Sequence, residues 1–391
     1  MGQSSLEIYR PKEQPKILEE LSQFYLSDLN DNVSCFRAIY QASPDKFCRK
    51  DSVGESPSHT LKRAIIFTNK WYSTALNVGE PVSNSILAKK TPEELIEIFE
   101  KQAKNIYSKS QNDPAFFERL VPDPLFHQLN LPEELDMKIT GFGFFLQADG
   151  QLAQNTGELL KHIDALRAKG VTVKRPEKLS WGPEGKKPII ENESEISEQT
   201  KSLLKEPLPV TKKQLRDQIP LLDQRVPGFY IEGYDELPKM PNKFLEIVAY
   251  STRGVALDNH FSYEHLANFT RWRETVKEID KPIGIGSTPA DDLRHEVLNL
   301  FKRISVISKD KTRIPPEKDL ISLDTERLLN LYLKGTYILI ERFADPTTAS
   351  KTYDWWGPKT GSQLLLSAYR HFMQHGGTLN AHYQAREGYI Y

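Results

Sequence analysis

Two histidines one helical turn apart, with a third shortly after, are the residues whose spacing most directly suggests chemistry. His371-Phe372-Met373-Gln374-His375 sets imidazoles at i and i+4, a separation that aims both at one metal ion. Gly376-Gly377 follows, and a turn there would bring His382 back to the same point. His371, His375 and His382 are therefore the leading candidate ligands. A zinc protease carries Glu directly after the first His, but Phe372 stands there, so metal-assisted hydrolysis would lack its general base. The competing account is a solvated helix end, where His complements the helix dipole.

A second set lies upstream. Of the nine histidines, six fall between His260 and His382. Asp258-Asn259-His260-Phe261-Ser262-Tyr263-Glu264-His265 is followed by Asp291-Asp292-Leu293-Arg294-His295-Glu296. Asp291 and His295 share a helix face at i and i+4, and Glu264 stands four residues after His260. Two helices that each offer carboxylate and imidazole hold iron, manganese or zinc in helical bundles. The second metal set is thus His260, Glu264, His265, Asp291 and His295. Asp291-Asp292 with Glu296 also resembles the magnesium-binding Asp-Asp-x-x-x-Glu of terpene cyclases, although no second metal motif follows it. The plainer account is acids in a first helical turn, which favour the dipole whatever the function.

Between these sets comes Tyr353-Asp354-Trp355-Trp356-Gly357-Pro358-Lys359-Thr360-Gly361-Ser362. Adjacent tryptophans are hard to bury together, so one is expected to line a pocket or an interface. A Gly-Ser turn at a helix start, with Lys359 beside it, offers N–H groups and a cation to an anion. Trp355, Trp356 and Lys359 are the candidate substrate-contacting residues, and Gly361 and Ser362 the candidate cofactor-binding ones. The competing account is a loop that merely caps a helix.

A further group belongs to another class. Cys35-Phe36-Arg37-Ala38 and Tyr250-Ser251-Thr252-Arg253-Gly254 resemble the arginine and Ser-Thr-Ser strands of ADP-ribosyltransferases. The resemblance implies that Arg37 holds a pyrophosphate by paired N–H bonds. The Glu-x-Glu or Gln-x-Glu turn of that family does not follow. No Gly-x-Ser-x-Gly elbow is present, and Gly141-Phe142-Gly143 is a lone Gly-x-Gly.

The elements that must position these residues read as helices. Thr91-Pro92-Glu93-Glu94 combines an N-cap, a proline at the first turn and acids, and opens a helix to about Tyr107. A helix is expected from Gln151 to Lys169, ending at Gly170, with Val171–Val173 as a short strand. Thr288-Pro289 repeats the capping pattern and opens a helix to about Ile307, Asp324 opens another to about Phe343, and Thr360 or Gly361 starts a last one ending near Gly376-Gly377. A further helix is expected from Ser262 to Ile279. Strand candidates are Ile139–Leu146, Gly228–Ile231 and residues 244–250. The fold class is thus mainly α and bundle-like, with room for a small sheet that would make it α+β. Prolines and charges punctuate residues 176–212, which read as a linker or long loop around a short helix near 194–204. An N-terminal helical region, 1–175, and a site-bearing C-terminal region, 213–391, would flank it.

Composition narrows the partners. The 391 residues carry 52 Lys+Arg against 53 Asp+Glu, a net charge of −1, which gives no electrostatic footprint for nucleic acid. No apolar run approaches the roughly 18 residues of a membrane helix. Met1–Leu6 has neither a basic start nor an apolar core, so the expected location is cytoplasmic, or secreted without a leader. Cys35 and Cys48 read as reduced thiols.

Together these features favour an enzyme acting on a small aromatic or amphipathic molecule. A metal ion, iron among the candidates, or a haem held by the C-terminal histidines would supply oxidoreductase chemistry. The alternative is a helical interaction protein, such as a secreted bacterial effector, with Trp355 and Trp356 anchoring a protein partner. A group transferase built on Arg37 and Ser251 is the remote third reading.

Overall fold

The computed structural model describes residues 14–51, 53–76, 83–122, 138–174, 196–206, 288–310, 313–343 and 346–387. The chain begins with α1 (Gln14–Ala42), whose residues Leu21, Tyr25, Leu29 and Phe36 are buried along one face. A single turn, α2 (Pro44–Phe47), leads to α3 (Pro57–Leu76), the short α4 (Asn84–Leu87) and α5 (Pro92–Asn112). The start of α5 is fixed by a capping box, in which Thr91 Oγ1 accepts from Glu94 N–H and Glu94 accepts from Thr91 N–H. A 3-10 turn, Pro114–Glu118, and a two-stranded antiparallel ribbon, β1 (Leu120–Pro122) with β2 (Lys138–Thr140), follow; Leu120 pairs with Thr140.

Helix α6 (Gly141–Ala168) is the centre of the molecule. It is buried all round, with Phe144, Phe145, Leu152, Leu159, Ile163 and Leu166 in the core. It begins ten residues before the expected start, inside the segment read as a strand, so only Ile139 and Thr140 of that candidate are extended. The glycines explain the error. A Cβ on Gly141 would sit 1.9 Å from the Phe116 carbonyl oxygen, so glycine serves a close approach at a helix start and does not mark a strand turn. Val171–Val173 likewise forms no strand.

After α7 (Glu198–Lys205), α8 (Pro289–Ser308) is opened by a second capping box on Thr288 and Asp291. Then come α9 (Glu317–Ser322), α10 (Thr325–Phe343), α11 (Pro346–Ser350) and a hairpin of β3 (Thr352–Asp354) with β4 (Pro358–Thr360). The last helix, α12 (Gly361–Glu387), runs straight through Gly376-Gly377, where the sequence suggested an end. The glycines again serve contact. A Cβ on Gly377 would lie 1.8 Å from the Gln154 carbonyl oxygen of α6, and one on Gly157 of α6 would lie 2.0 Å from the Gln374 carbonyl oxygen of α12. Tyr369 reaches the Leu146 carbonyl, and Gly150 faces Tyr369 and Met373 where Gly157 faces Thr378, so α6 and α12 run parallel with their backbones nearly touching.

α12 packs along α6, α6 on α1, and α8 between α10 and α12. The architecture is mainly α, with only two-stranded ribbons among the described residues. One hydrophobic core extends from Leu21 in α1 to Met373 in α12, so segments on both sides of 176–212 share it. The expected Ser262–Ile279 helix and the strand candidates at 228–231 and 244–250 lie outside the described residues. No helix among the described residues is long and apolar enough to cross a membrane.

Candidate metal centre

Two helices supply the site, and each does so with the same spacing. On α8, Asp292, His295, Glu296, Asn299 and Arg303 stand at i, i+3, i+4, i+7 and i+11, which is one helical face. On α12, His371, Gln374, His375, Thr378 and His382 repeat that spacing. The complementary face of α8 carries Leu293, Val297, Leu300, Phe301 and Ile304 and is buried in the core. The polar faces are buried too: Glu296 is fully covered, and Asp292, Arg303, His371, Gln374, His375, Thr378 and His382 all lie below the surface.

The packing of α8 on α12 brings His295, His371 and His375 together, with one potential ligand nitrogen from each inside a 4.8 Å span. Their ring centroids are 5.4, 5.8 and 4.6 Å apart. Glu296 Oε2 lies 3.0 Å from His371 Nε2 and 3.4 Å from His375 Nε2. Asn299 Nδ2 is 3.0 Å from the same His371 nitrogen. Asp292 reaches His375 Nδ1 at 3.9 Å, and on its other oxygen Lys161 of α6, also at 3.9 Å.

Burial sets the protonation. It pushes His371 well below the ordinary histidine range, and the nearby Arg303 and His295 push the same way. It carries His375 down to about 4, helped by His371. Both imidazoles are neutral at pH 7, the form that ligates metal. Burial also raises Glu296, against the opposing pull of His375 and Arg303.

The group draws on both candidate sets, taking His371 and His375 from the first and His295 from the second. His382 is buried on the same face of α12, but the helix does not turn back. It lies about 10 Å further along the axis than His375. Asp291 faces its own helix start, accepting from Thr288 N–H at 3.0 Å, while its neighbour Asp292 turns toward the histidines. His260, Glu264 and His265 lie outside the described residues.

The aromatic loop caps and braces. Thr360 forms the N-cap of α12, its Oγ1 accepting from Gln363 N–H at 3.2 Å. Gly361 N–H donates to the Lys351 carbonyl, Ser362 is buried in the first turn, and Lys359 donates to Glu20 of α1 at 2.6 Å. Trp356 projects into solvent, 93% exposed, from the hairpin tip. Trp355 is half-buried, with the Arg303 guanidinium 5.2 Å from its ring centre. Arg37 pairs with Glu100 at the surface, at 2.6 Å, and Ser251 lies outside the described residues.

Sequence reasoning named Glu296 only within the terpene-cyclase resemblance and missed Asn299, Arg303 and Lys161. The missed signal was the spacing 0, 3, 4, 7, 11 of polar residues on a helix whose other face is apolar. Comparison with protein-family models, curated proteins and solved structures found no match.

Proposed function

We propose that this protein is a metal-dependent enzyme whose centre is one transition-metal ion, held by His295, His371 and His375 with the carboxylate of Glu296. The observation that carries the reading is the convergence of three imidazoles from two helices within 4.8 Å, around a fully buried glutamate. Two nitrogens that both bind zinc at about 2.0–2.1 Å are at most about 4.2 Å apart. At tetrahedral angles they are about 3.4 Å apart, so the widest separation closes by about 1.4 Å through side-chain rotations.

The donor set contains no thiolate, which suits zinc, iron, copper or nickel. A bare ion fits better than a haem, because the three rings stand against one another and leave no plane for a porphyrin between them. When bound, such an ion supplies a Lewis acid or, if iron or copper, a redox centre. The chain contributes neutral ligands at His371 and His375; the Asn299 amide, 3.0 Å from His371 Nε2, has to turn aside for that nitrogen to take an ion. The substrate expected from the sequence is a small aromatic or amphipathic molecule, and half-buried Trp355 on the same side of α8 suits such a partner.

The test is elemental analysis of the purified chain, followed by titration of chelator-treated protein with Co(II) and reading of its visible absorption. One equivalent per chain is expected, with loss of the band in His371→Ala and His375→Ala. No saturable Co(II) binding, or binding unchanged in both variants, would overturn the proposal. A second reading, a docking protein, is favoured by one observation, the solvent-facing Trp356 at a hairpin tip.

A further inference from the structure

Arg303 has no role in holding the proposed ion, yet its surroundings are unusual. Its side chain is buried, and Nε and Nη1 have no hydrogen-bond partner among the described residues. A guanidinium is cationic under all ordinary conditions, and leaving its donors unmade in a protein interior is costly. Most buried polar groups are satisfied, so an exception of this size calls for a missing partner. Burial lowers the group only to about 10, so it remains charged at neutral pH.

Its position indicates what that partner is. Arg303 lies on the polar face of α8, seven residues beyond Glu296 and about 10 Å along the axis. It is near enough to Glu296 and His371 to bias their protonation. Its guanidinium lies over the ring of Trp355, which the β3–β4 hairpin holds in place. A planar guanidinium with open N–H donors beside an aromatic wall matches a carboxylate on a flat, apolar body.

We propose that Arg303 is the recognition residue of a carboxylate subsite adjoining the histidine centre, and that the substrate is a small aryl or similarly flat carboxylic acid. Its carboxylate accepts from the open Nη1 of Arg303, its body lies along Trp355, and its other end reaches toward His295, His371 and His375. The proposal rests on the metal-centre reading for what the bound acid is there to do. The carboxylate subsite itself is testable without it.

The experiment uses the full chain, both metal-loaded and chelator-treated, titrated with benzoate, acetate and inorganic phosphate. Binding is followed by calorimetry and tryptophan fluorescence. Saturable benzoate binding is expected, weaker acetate binding, and no preference for phosphate. Arg303→Lys keeps the cation but loses the planar guanidinium and should weaken benzoate by about tenfold or more, and Arg303→Gln by about a hundredfold, as expected for a charge-assisted pair. Co(II) stoichiometry in each variant shows whether the neighbouring site still folds. No saturable binding by the wild-type chain at about 10 mM benzoate, phosphate bound more tightly than either carboxylate, or Arg303→Lys equal to wild type would each overturn the proposal. If the chain binds benzoate through Arg303 but takes up no metal, the metal reading fails and the subsite stands. If it takes up metal but binds no carboxylate, the reverse holds.

Discussion

Replacing Gly377 by Ala tests how the fold holds the candidate site. In an ordinary helix interior this change adds roughly 1 kcal/mol of stability, because glycine is the poorer helix former. Here the added Cβ would lie 1.8 Å from the Gln154 carbonyl oxygen and 2.8 Å from its carbon, both backbone atoms that cannot rotate away. Ordinary contact needs about 3.4–4 Å, so the helices must part by roughly 1.5 Å. A gap of that size forfeits much of the dispersion energy of a closely packed seam, and overpacking typically costs about 1–3 kcal/mol or more. The clash therefore outweighs the propensity gain, and Gly377→Ala should lose about 2 kcal/mol in urea unfolding. Gly157→Ala should behave alike, since its Cβ meets the Gln374 carbonyl oxygen at 2.0 Å. Both substitutions force the same separation, so the double variant should lose less than the sum of the singles. His375 stands two residues before Gly377, so Co(II) affinity should fall in parallel with stability. If Gly377→Ala is as stable as wild type, or the two losses add fully, the close approach of α6 and α12 is not what these glycines serve.

His162 is fully buried, with Nδ1 2.6 Å from Asp51 Oδ2 and Nε2 3.2 Å from Thr60 Oγ1. Burial alone would lower it, but Asp51, Glu158 and Glu55 carry it above the ordinary histidine value. Its stabilising contribution is thus complete below about pH 6.5 and is lost as pH rises through the folded value. Asp51→Asn should flatten the alkaline decline of the unfolding free energy, and an unchanged slope would count against this assignment. Asp28, fully buried, accepts from Arg370 Nε at 2.6 Å and from its Nη2. Asp28→Asn should cost about 3 kcal/mol by leaving a largely buried guanidinium unpaired, and a loss under half that in chemical denaturation would refute it. Trp356 holds a left-handed backbone, φ 54°, with its ring in water. Trp356→Asn should therefore raise the thermal midpoint, gaining about 1 kcal/mol, without changing Co(II) affinity; a lower midpoint would show that the exposed ring makes a contact that matters.

The helix starts were legible where a single local rule acts. Thr91-Pro92 and Thr288-Pro289 each carry cap, proline and acid within one turn, and both helices begin there. Glycine read as punctuation held at Gly170, which closes α6 with a left-handed backbone, and failed elsewhere. Gly376-Gly377 lies inside α12, and Gly141 opens α6. A glycine that lets two backbones touch looks identical in sequence to one that ends a helix, and only the neighbouring element tells them apart. The site was half legible for the same reason. His371 and His375 share a face by local geometry, whereas their meeting with His295 depends on how α8 docks on α12. Asp291 illustrates the loss: the i, i+4 rule paired it with His295, but the capping box takes its carboxylate and leaves Asp292 to face the histidines.

The buried polar groups of this fold are satisfied to different degrees, and the open charged pair on α8 bears on the site. Near α1 and α6, Asn32 donates to the Leu152 carbonyl and to Thr156, Arg63 pairs with Glu55 and Glu158, and Asp28 holds Arg370. These pairs fix which helices meet, while Asn32 Oδ1 and both oxygens of Asp149 on α6 lack a hydrogen bond among the described residues. Along α8 two opposite charges are open on one face. Glu296 is fully covered, and among the described residues its oxygens and the Nε and Nη1 of Arg303 lack a hydrogen bond. Two opposite charges on one face, two turns apart, would lower the free energy by pairing directly if the sequence existed only to fold. Holding them apart, with three imidazoles at one end and an indole at the other, is costly for the apo chain and reasonable for a protein that binds something between them. On this argument Glu296→Gln and Arg303→Met should each stabilise the ligand-free protein. That stability–function opposition is what a purely structural role for the two residues would not produce.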